Sequence, residues 1–188
     1  MPMIEIVPYN PGWPAEFEQI AAVLRRGLGS LALRIDHIGS TSVPGLDAKD
    51  IIDLQVGVDN FDDPLEAAFL AMGCTRVAYI NDDHLPPGYA GLESEWEKRY
   101  FRPPPDMRPT HLHVRILGRA NWRYALLFRD YLRSHPAAAS GYAAVKHILV
   151  EYHPDDPDAY TLIKDPVCDV IMAAAEEWAC QTGRVVTA

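Results

Sequence analysis

The chain has 188 residues, a net charge of −9, and 48% hydrophobic residues, a balance that excludes a disordered chain and supplies one domain with a real core. The acidic balance argues against a protein that coats nucleic acid, because that affinity comes mainly from neutralised phosphates. No apolar run approaches the roughly 20 residues that a membrane span needs. Cys74, Cys168 and Cys180 form no CxxC pair, and Met1-Pro2-Met3-Ile4-Glu5 has no basic segment followed by an apolar one. A cytoplasmic protein without disulfides or a secretory signal is therefore expected.

Pro11-Gly12-Trp13-Pro14 reads as a turn leading into a helix over 15–28, where Phe17, Ile20, Ala21, Leu24 and Leu28 follow helical spacing. Strands are predicted over 34–39 and 51–58. The second has near-continuous apolarity, which suits a central position. A short helix over 64–72 carries Pro64 in its first turn and ends before Gly73. A strand over 75–80 and a loop over 81–93, with Pro86-Pro87 and two glycines, come next. A strand is predicted over 95–102, although 95–99 could also start a helix. The alternating stretch 110–117 ends at Gly118 and reads as a strand. Helical patterns then cover 119–134, 136–150 and 157–181. The order predicts an α/β (α+β) domain over 1–188: a short mixed sheet flanked by helices in 1–118, and a helical half in 119–188.

Three groups of residues could carry chemistry. In His37-Ile38-Gly39-Ser40-Thr41-Ser42-Val43-Pro44-Gly45-Leu46, Gly39 allows close backbone approach, and Ser40, Thr41 and Ser42 offer hydroxyls. Pro44-Gly45 fits a type II turn. With Lys49 nearby, the loop could hold a phosphate; a tight connection between strands is the plainer reading. Asp53 lies inside an apolar strand, where a carboxylate must be paired, hydrogen-bonded or metal-bound. It shares a strand face with Gln55. His111, His113 and Arg115 share one face of a later strand, so the two imidazoles and Asp53 could ligate a divalent ion. A solvated polar face is the alternative.

The third group is cationic. Arg129, Lys146 and Lys164 sit on or beside the apolar stripes of three successive helices, the lysines four residues after Tyr142 and Tyr160. Convergence on an anion competes with lysine stems that snorkel to water. His84 belongs to the Pro/Gly loop as a lid residue or a solvated one. Asp82, Asp83, Asp155, Asp156 and Asp158 are expected to cap turns and helix starts.

Tyr9-Asn10-Pro11-Gly12-Trp13-Pro14 with Phe17, the run 37–46, Ala48-Lys49, Ile51-Ile52-Asp53, His111-Leu112-His113-Val114, Leu127-Phe128-Arg129-Asp130-Tyr131-Leu132, Tyr142, Lys146, Tyr160 and Lys164 together resemble the GrpB family, across nearly the whole chain. The resemblance implies a nucleotidyltransferase-like fold, and a similar domain fused to some dephospho-CoA kinases. In active nucleotidyltransferases a Gly-Ser loop helps hold the triphosphate, and carboxylates on the next strand and on a later one bind magnesium. Gly39-Ser40 and Asp53 match that pattern. Gln55 replaces the second carboxylate, and the third place falls near His111 or His113.

Three expectations follow: a phosphate-bearing small molecule or nucleotide held by Gly39, Ser40, Thr41, Ser42, Lys49, Arg129, Lys146 and Lys164, with nucleotidyl transfer through Asp53 as an open addition; a transition-metal enzyme on Asp53, His111 and His113; or a non-catalytic anion-binding module. A divalent metal, Mg, Mn or Zn, is the cofactor that the catalytic readings call for.

Overall fold

A computed structural model describes residues 3–186. The first helix, α1 (Trp13–Leu28), has Pro14 in its opening turn and buries Trp13, Phe17, Ala21, Leu24 and Leu28 on one face. Five strands and one helix follow, in the order β1 (Arg34–Ile38), β2 (Ile52–Val58), α2 (Asp63–Ala71), β3 (Thr75–Arg76), β4 (Lys98–Arg102) and β5 (Thr110–Ile116). The helical half is α3 (Ala120–Ser134), α4 (Pro136–Tyr152) and α5 (Pro157–Thr182). Asp156 caps α5 by accepting from the Ala159 amide at 2.9 Å, as its sequence position suggested.

The sheet order is β1-β2-β5-β4-β3. β2 and β5 run parallel, and the other pairings are antiparallel, so the sheet is mixed. Two of the strand predictions need trimming. The strand expected over 75–80 shrinks to β3, because the chain turns after Val77, where the Ile80 amide donates to the Val77 carbonyl, and Tyr79 points to solvent at 81% exposure. The strand expected from residue 95 begins at Lys98. Glu93–Trp96 instead form a 3-10 turn that buries Trp96.

Strand alternation gives the sheet two unlike faces. Ile52, Leu54, Val56, Leu112, Val114 and Phe101 form the apolar face, which meets α1 and α2 in one core with Trp13, Phe17, Leu65 and Phe69. Parallel register places Asp53 beside His111, Gln55 beside His113 and Gly57 beside Arg115 on the opposite, polar face. Lys98 and Tyr100 of β4 extend that face, opposite Arg115 and His113. The helical half covers it. Trp122 and Leu126 of α3 seat on Ile38, and Leu127 of α3 meets Met172, Ala175 and Ala179 of α5. Among the described residues no helix is long and apolar enough to cross a membrane.

Candidate functional site

A cavity of about 450 Å³ lies between the polar sheet face and the three C-terminal helices. Its walls combine Gly39, Ser40, Lys49, Asp53, His111, His113, Lys146 and Lys164 from the sequence-based set. Asp83, Lys98, Arg115 and Asn121 form its other end, and Trp96, Tyr124, Phe128, Tyr142 and Tyr160 its aromatic sides.

The loop after β1 is shaped by Gly39, at φ 66°, where an added Cβ would stand 2.5 Å from Asp53 Oδ2. Only glycine fits both the backbone conformation and the neighbouring carboxylate. The turn over Val43–Leu46 has its i→i+3 hydrogen bond at 3.1 Å and Gly45 at φ 78°, consistent with type II. The three successive hydroxyls separate in role. Thr41 Oγ1 pairs with His37 Nε2 at 3.0 Å, and Ser42 Oγ donates to the Gly39 carbonyl at 2.6 Å. Both side chains are buried beneath the loop, and Ser40 alone reaches the cavity.

Asp53, His111 and His113 converge. His111 Nδ1 donates to Asp53 Oδ1 at 2.8 Å, and His113 Nε2 lies 3.9 Å from the same oxygen. One donor atom from each residue lies within 4.8 Å of the other two. Burial raises the Asp53 pKa, but the His111 hydrogen bond, followed by the other interactions of the two imidazoles, overrides burial and keeps the carboxylate ionised well below its usual range. Burial is also the main reason that His113 falls to about 4, which leaves it neutral near pH 7. Tyr100 flanks both imidazoles, at ring-centroid distances of 5.7 and 5.3 Å.

Lys49, Lys146 and Lys164 reach the cavity from the β1–β2 connection, α4 and α5. Lys146 Nζ donates to Ser40 Oγ at 3.0 Å and to the Asp47 carbonyl. Lys49 Nζ sits 3.8 Å from the Tyr160 ring centroid, a cation–π contact. Among the described residues neither ammonium has a carboxylate within ion-pair distance, whereas Lys164 pairs with Asp165 at 2.9 Å. Burial lowers Lys146 to about 8, and the Lys164 charge adds to that shift. Lys49 is lowered by the same two causes in the same order.

At the other end, Asp83 is saturated. It accepts from Lys98 Nζ at 2.7 Å, from Arg115 Nε and Nη2 at 2.7 and 2.9 Å, and from Asn121 Nδ2 at 3.1 Å. Asp83 was expected to cap a turn; instead it anchors a buried network. Gln55 completes it by accepting from Arg115 Nη1 at 2.8 Å while donating to the Trp122 carbonyl at 3.3 Å. His84, next in the loop, donates to Asp169 of α5 at 2.8 Å.

Arg129 stands apart from the lysines. Its Nε donates to Asp130 at 2.8 Å and its Nη1 to the His37 carbonyl at 3.0 Å. It lines a second cleft with Phe17, Asp36, His37 and Arg133, and it braces the loop from behind rather than facing the cavity. Arg133 does the same through two hydrogen bonds to the Ser42 carbonyl, at 2.9 and 2.7 Å. Sequence reasoning missed Asp83, Lys98, Asn121, Trp96 and Arg133. Alternation along β5 had marked Arg115 as a neighbour of the two histidines, but not its partners.

Comparison with known proteins matches residues 3–174 to a family described as GrpB protein. The dephospho-CoA kinase of Mycolicibacterium paratuberculosis is 35% identical over 194 residues, covering 96% of this chain and 48% of that protein. The chain thus spans about half the length of the mycobacterial kinases it matches. UPF0157 protein PA4798 of Pseudomonas aeruginosa is 37% identical and is covered over 67% of its length. A crystal structure of the conserved protein GrpB from Enterococcus faecalis superposes with a TM-score of 0.72 at 33% identity, over 93% of this chain and 99% of that one.

Proposed function

The chain belongs to the GrpB family, and on that premise we propose that its cavity binds a phosphate-bearing small molecule, with nucleotides the leading class. One observation carries the reading. Lys49, Lys146 and Lys164 come from three separate elements to one cavity wall beside Ser40, and two of them lack a carboxylate partner among the described residues. Clustering like charges in a part-buried cavity is unfavourable in the free protein. A bound phosphate would relieve it and accept from all three ammonium groups and the Ser40 hydroxyl. Trp96, Tyr124 and Phe128 give the cavity an apolar side on which a planar base can rest. The name dephospho-CoA kinase among the relatives supports a nucleotide-related ligand.

Nucleotidyl transfer is the second reading. The order Gly39-Ser40 followed by Asp53 favours it, while Gln55 in the second acidic place weighs against it. Incubation with labelled nucleotides tests that addition: label transferred to an acceptor and lost in Asp53→Asn supports it, and no transfer under any condition removes it.

The binding reading is tested by thermal shift across pyrophosphate, ribose 5-phosphate, ADP and ATP, with unphosphorylated sugars and nucleosides as controls. A phosphate-bearing compound at about 100 times its Kd should stabilise the fold by about 2.7 kcal/mol. The shift should vanish in the Lys146→Met/Lys164→Met variant. A flat response to every phosphate compound would overturn the reading.

A further inference from the structure

The nucleotidyltransferase resemblance carries magnesium with it, and the donor set argues against that ion. Magnesium requires hard oxygen ligands at about 2.0–2.1 Å in near-octahedral geometry, usually carboxylates and water. Asp53 supplies one such ligand. Gln55 is fully buried, with its oxygen taken by Arg115 and its nitrogen by the Trp122 carbonyl. Asp83 is consumed by Lys98, Arg115 and Asn121, and Asp165 pairs with Lys164. Among the described residues no second carboxylate of the cavity wall is left to hold a hard ion.

We infer that Asp53, His111 and His113 form a mononuclear site for a divalent first-row transition ion, with zinc the best match, and that its open coordination position faces the lysine wall. Two imidazole nitrogens and one carboxylate oxygen are the donor mixture that such ions prefer. The two separations from Asp53 Oδ1, 2.8 Å to His111 Nδ1 and 3.9 Å to His113 Nε2, bracket the roughly 3.3 Å that separates ligands around a tetrahedral ion with bonds near 2.0 Å. Turning His111 out of its hydrogen bond with Asp53 is the main adjustment required.

The donors sit on two adjacent central strands in fixed register, so the backbone holds them with little freedom. Tyr100 packs beside both rings. Three protein ligands are the complement of a catalytic-type site, in which the remaining position belongs to water or ligand. All three line the cavity with Lys49, Lys146 and Lys164, so a phosphate there could offer one oxygen to the ion and others to the ammonium groups. When bound, the ion would supply Lewis-acid polarisation of that phosphoryl oxygen. The ligand class narrows to phosphate esters or pyrophosphates with an accessible terminal phosphate. That narrowing rests on the phosphate reading above, but the metal site itself does not.

The test therefore uses metal alone. Chelator-stripped protein is titrated with zinc or magnesium chloride against a chromogenic chelator in phosphate-free buffer, and the visible absorption of a cobalt(II) form is recorded. One zinc per chain is expected, bound about 1000-fold or more tightly than magnesium, with a cobalt spectrum of low coordination number. His113→Ala and Asp53→Ala should each weaken zinc by about 100-fold or more. His84→Ala, which removes another cavity imidazole, should leave it unchanged. His113→Asn provides a smaller change, and circular dichroism checks that the variants fold. Magnesium binding as tightly as zinc would overturn the inference, as would zinc binding that survives both Ala variants. Failure of phosphate to bind would overturn only the anion reading.

Discussion

The two ends of the cavity hold similar numbers of cations but treat them oppositely. At one end Asp83 accepts from Lys98, Arg115 and Asn121, and Gln55 takes the remaining Arg115 hydrogen bond. Every charge there has a partner supplied by the protein. At the other end Lys49 rests on an aromatic ring and Lys146 donates only to neutral oxygens. Buried charges persist in folded proteins when they are paired or serve a ligand. The saturated end reads as architecture that ties the 81–93 loop to the sheet, and the unsaturated end as a receptor.

Breaking the saturated end should have the largest effect. Asp83→Ala strands two buried cations, so unfolding in urea should show a loss of about 3–5 kcal/mol. Acidification should come next. His37 is stacked on Phe17 at 4.7 Å under the loop, and burial is the main cause that lowers it to about 4. Its folded pKa lies below the ordinary 6.5, so the unfolded chain binds the proton more readily. Stability should be full above about pH 6.5, fall as pH drops toward 4, and level off below, a span of about 3 kcal/mol for this residue. His113 titrates in the same window, so His37→Gln should roughly halve the slope measured by chemical denaturation.

The unsaturated end should behave differently. Lys146→Met should change stability by no more than about 1 kcal/mol, because removing an incompletely neutralised buried charge offsets the lost hydrogen bonds. Its cost should appear in phosphate affinity, about tenfold or more by calorimetry. In the wild type that affinity should decline as pH rises through about 8, where Lys146 loses its proton, whereas Lys146→Arg should stay flat to higher pH.

Local pattern was enough for some of this and not for the rest. Alternation in 110–117 placed His111, His113 and Arg115 on one face, and near-continuous apolarity made β2 central. The i,i+4 pairs Tyr142/Lys146 and Tyr160/Lys164 marked two of the three lysines that meet. Asp83 was misread because its partners lie on β4, β5 and α3, and a turn-rich loop looks locally like a place for a cap. Arg129 was misplaced because its position beside an apolar stripe does not reveal which side of the loop it reaches. The sequence offers the hydroxyls of Thr41 and Ser42 as ligands, yet the tight 3-10 turn Ser40–Ser42 directs them inward to His37 and Gly39. For Asp83 and Arg129 a long-range partner decides the role, and short-range spacing carries no record of it; for Thr41 and Ser42 the partners are four and three residues back, and the turn conformation decides.

The most direct measurement is a calorimetric titration of inorganic pyrophosphate into wild-type protein, Lys146→Met and the Lys146→Met/Lys164→Met variant, all in excess chelator. Saturable one-site binding to the wild type, weakened about tenfold or more in the single variant and abolished in the double variant at unchanged melting temperature, is the expected result. Equal binding by all three proteins, or none by the wild type, would contradict the assignment of the lysine wall as a phosphate receptor.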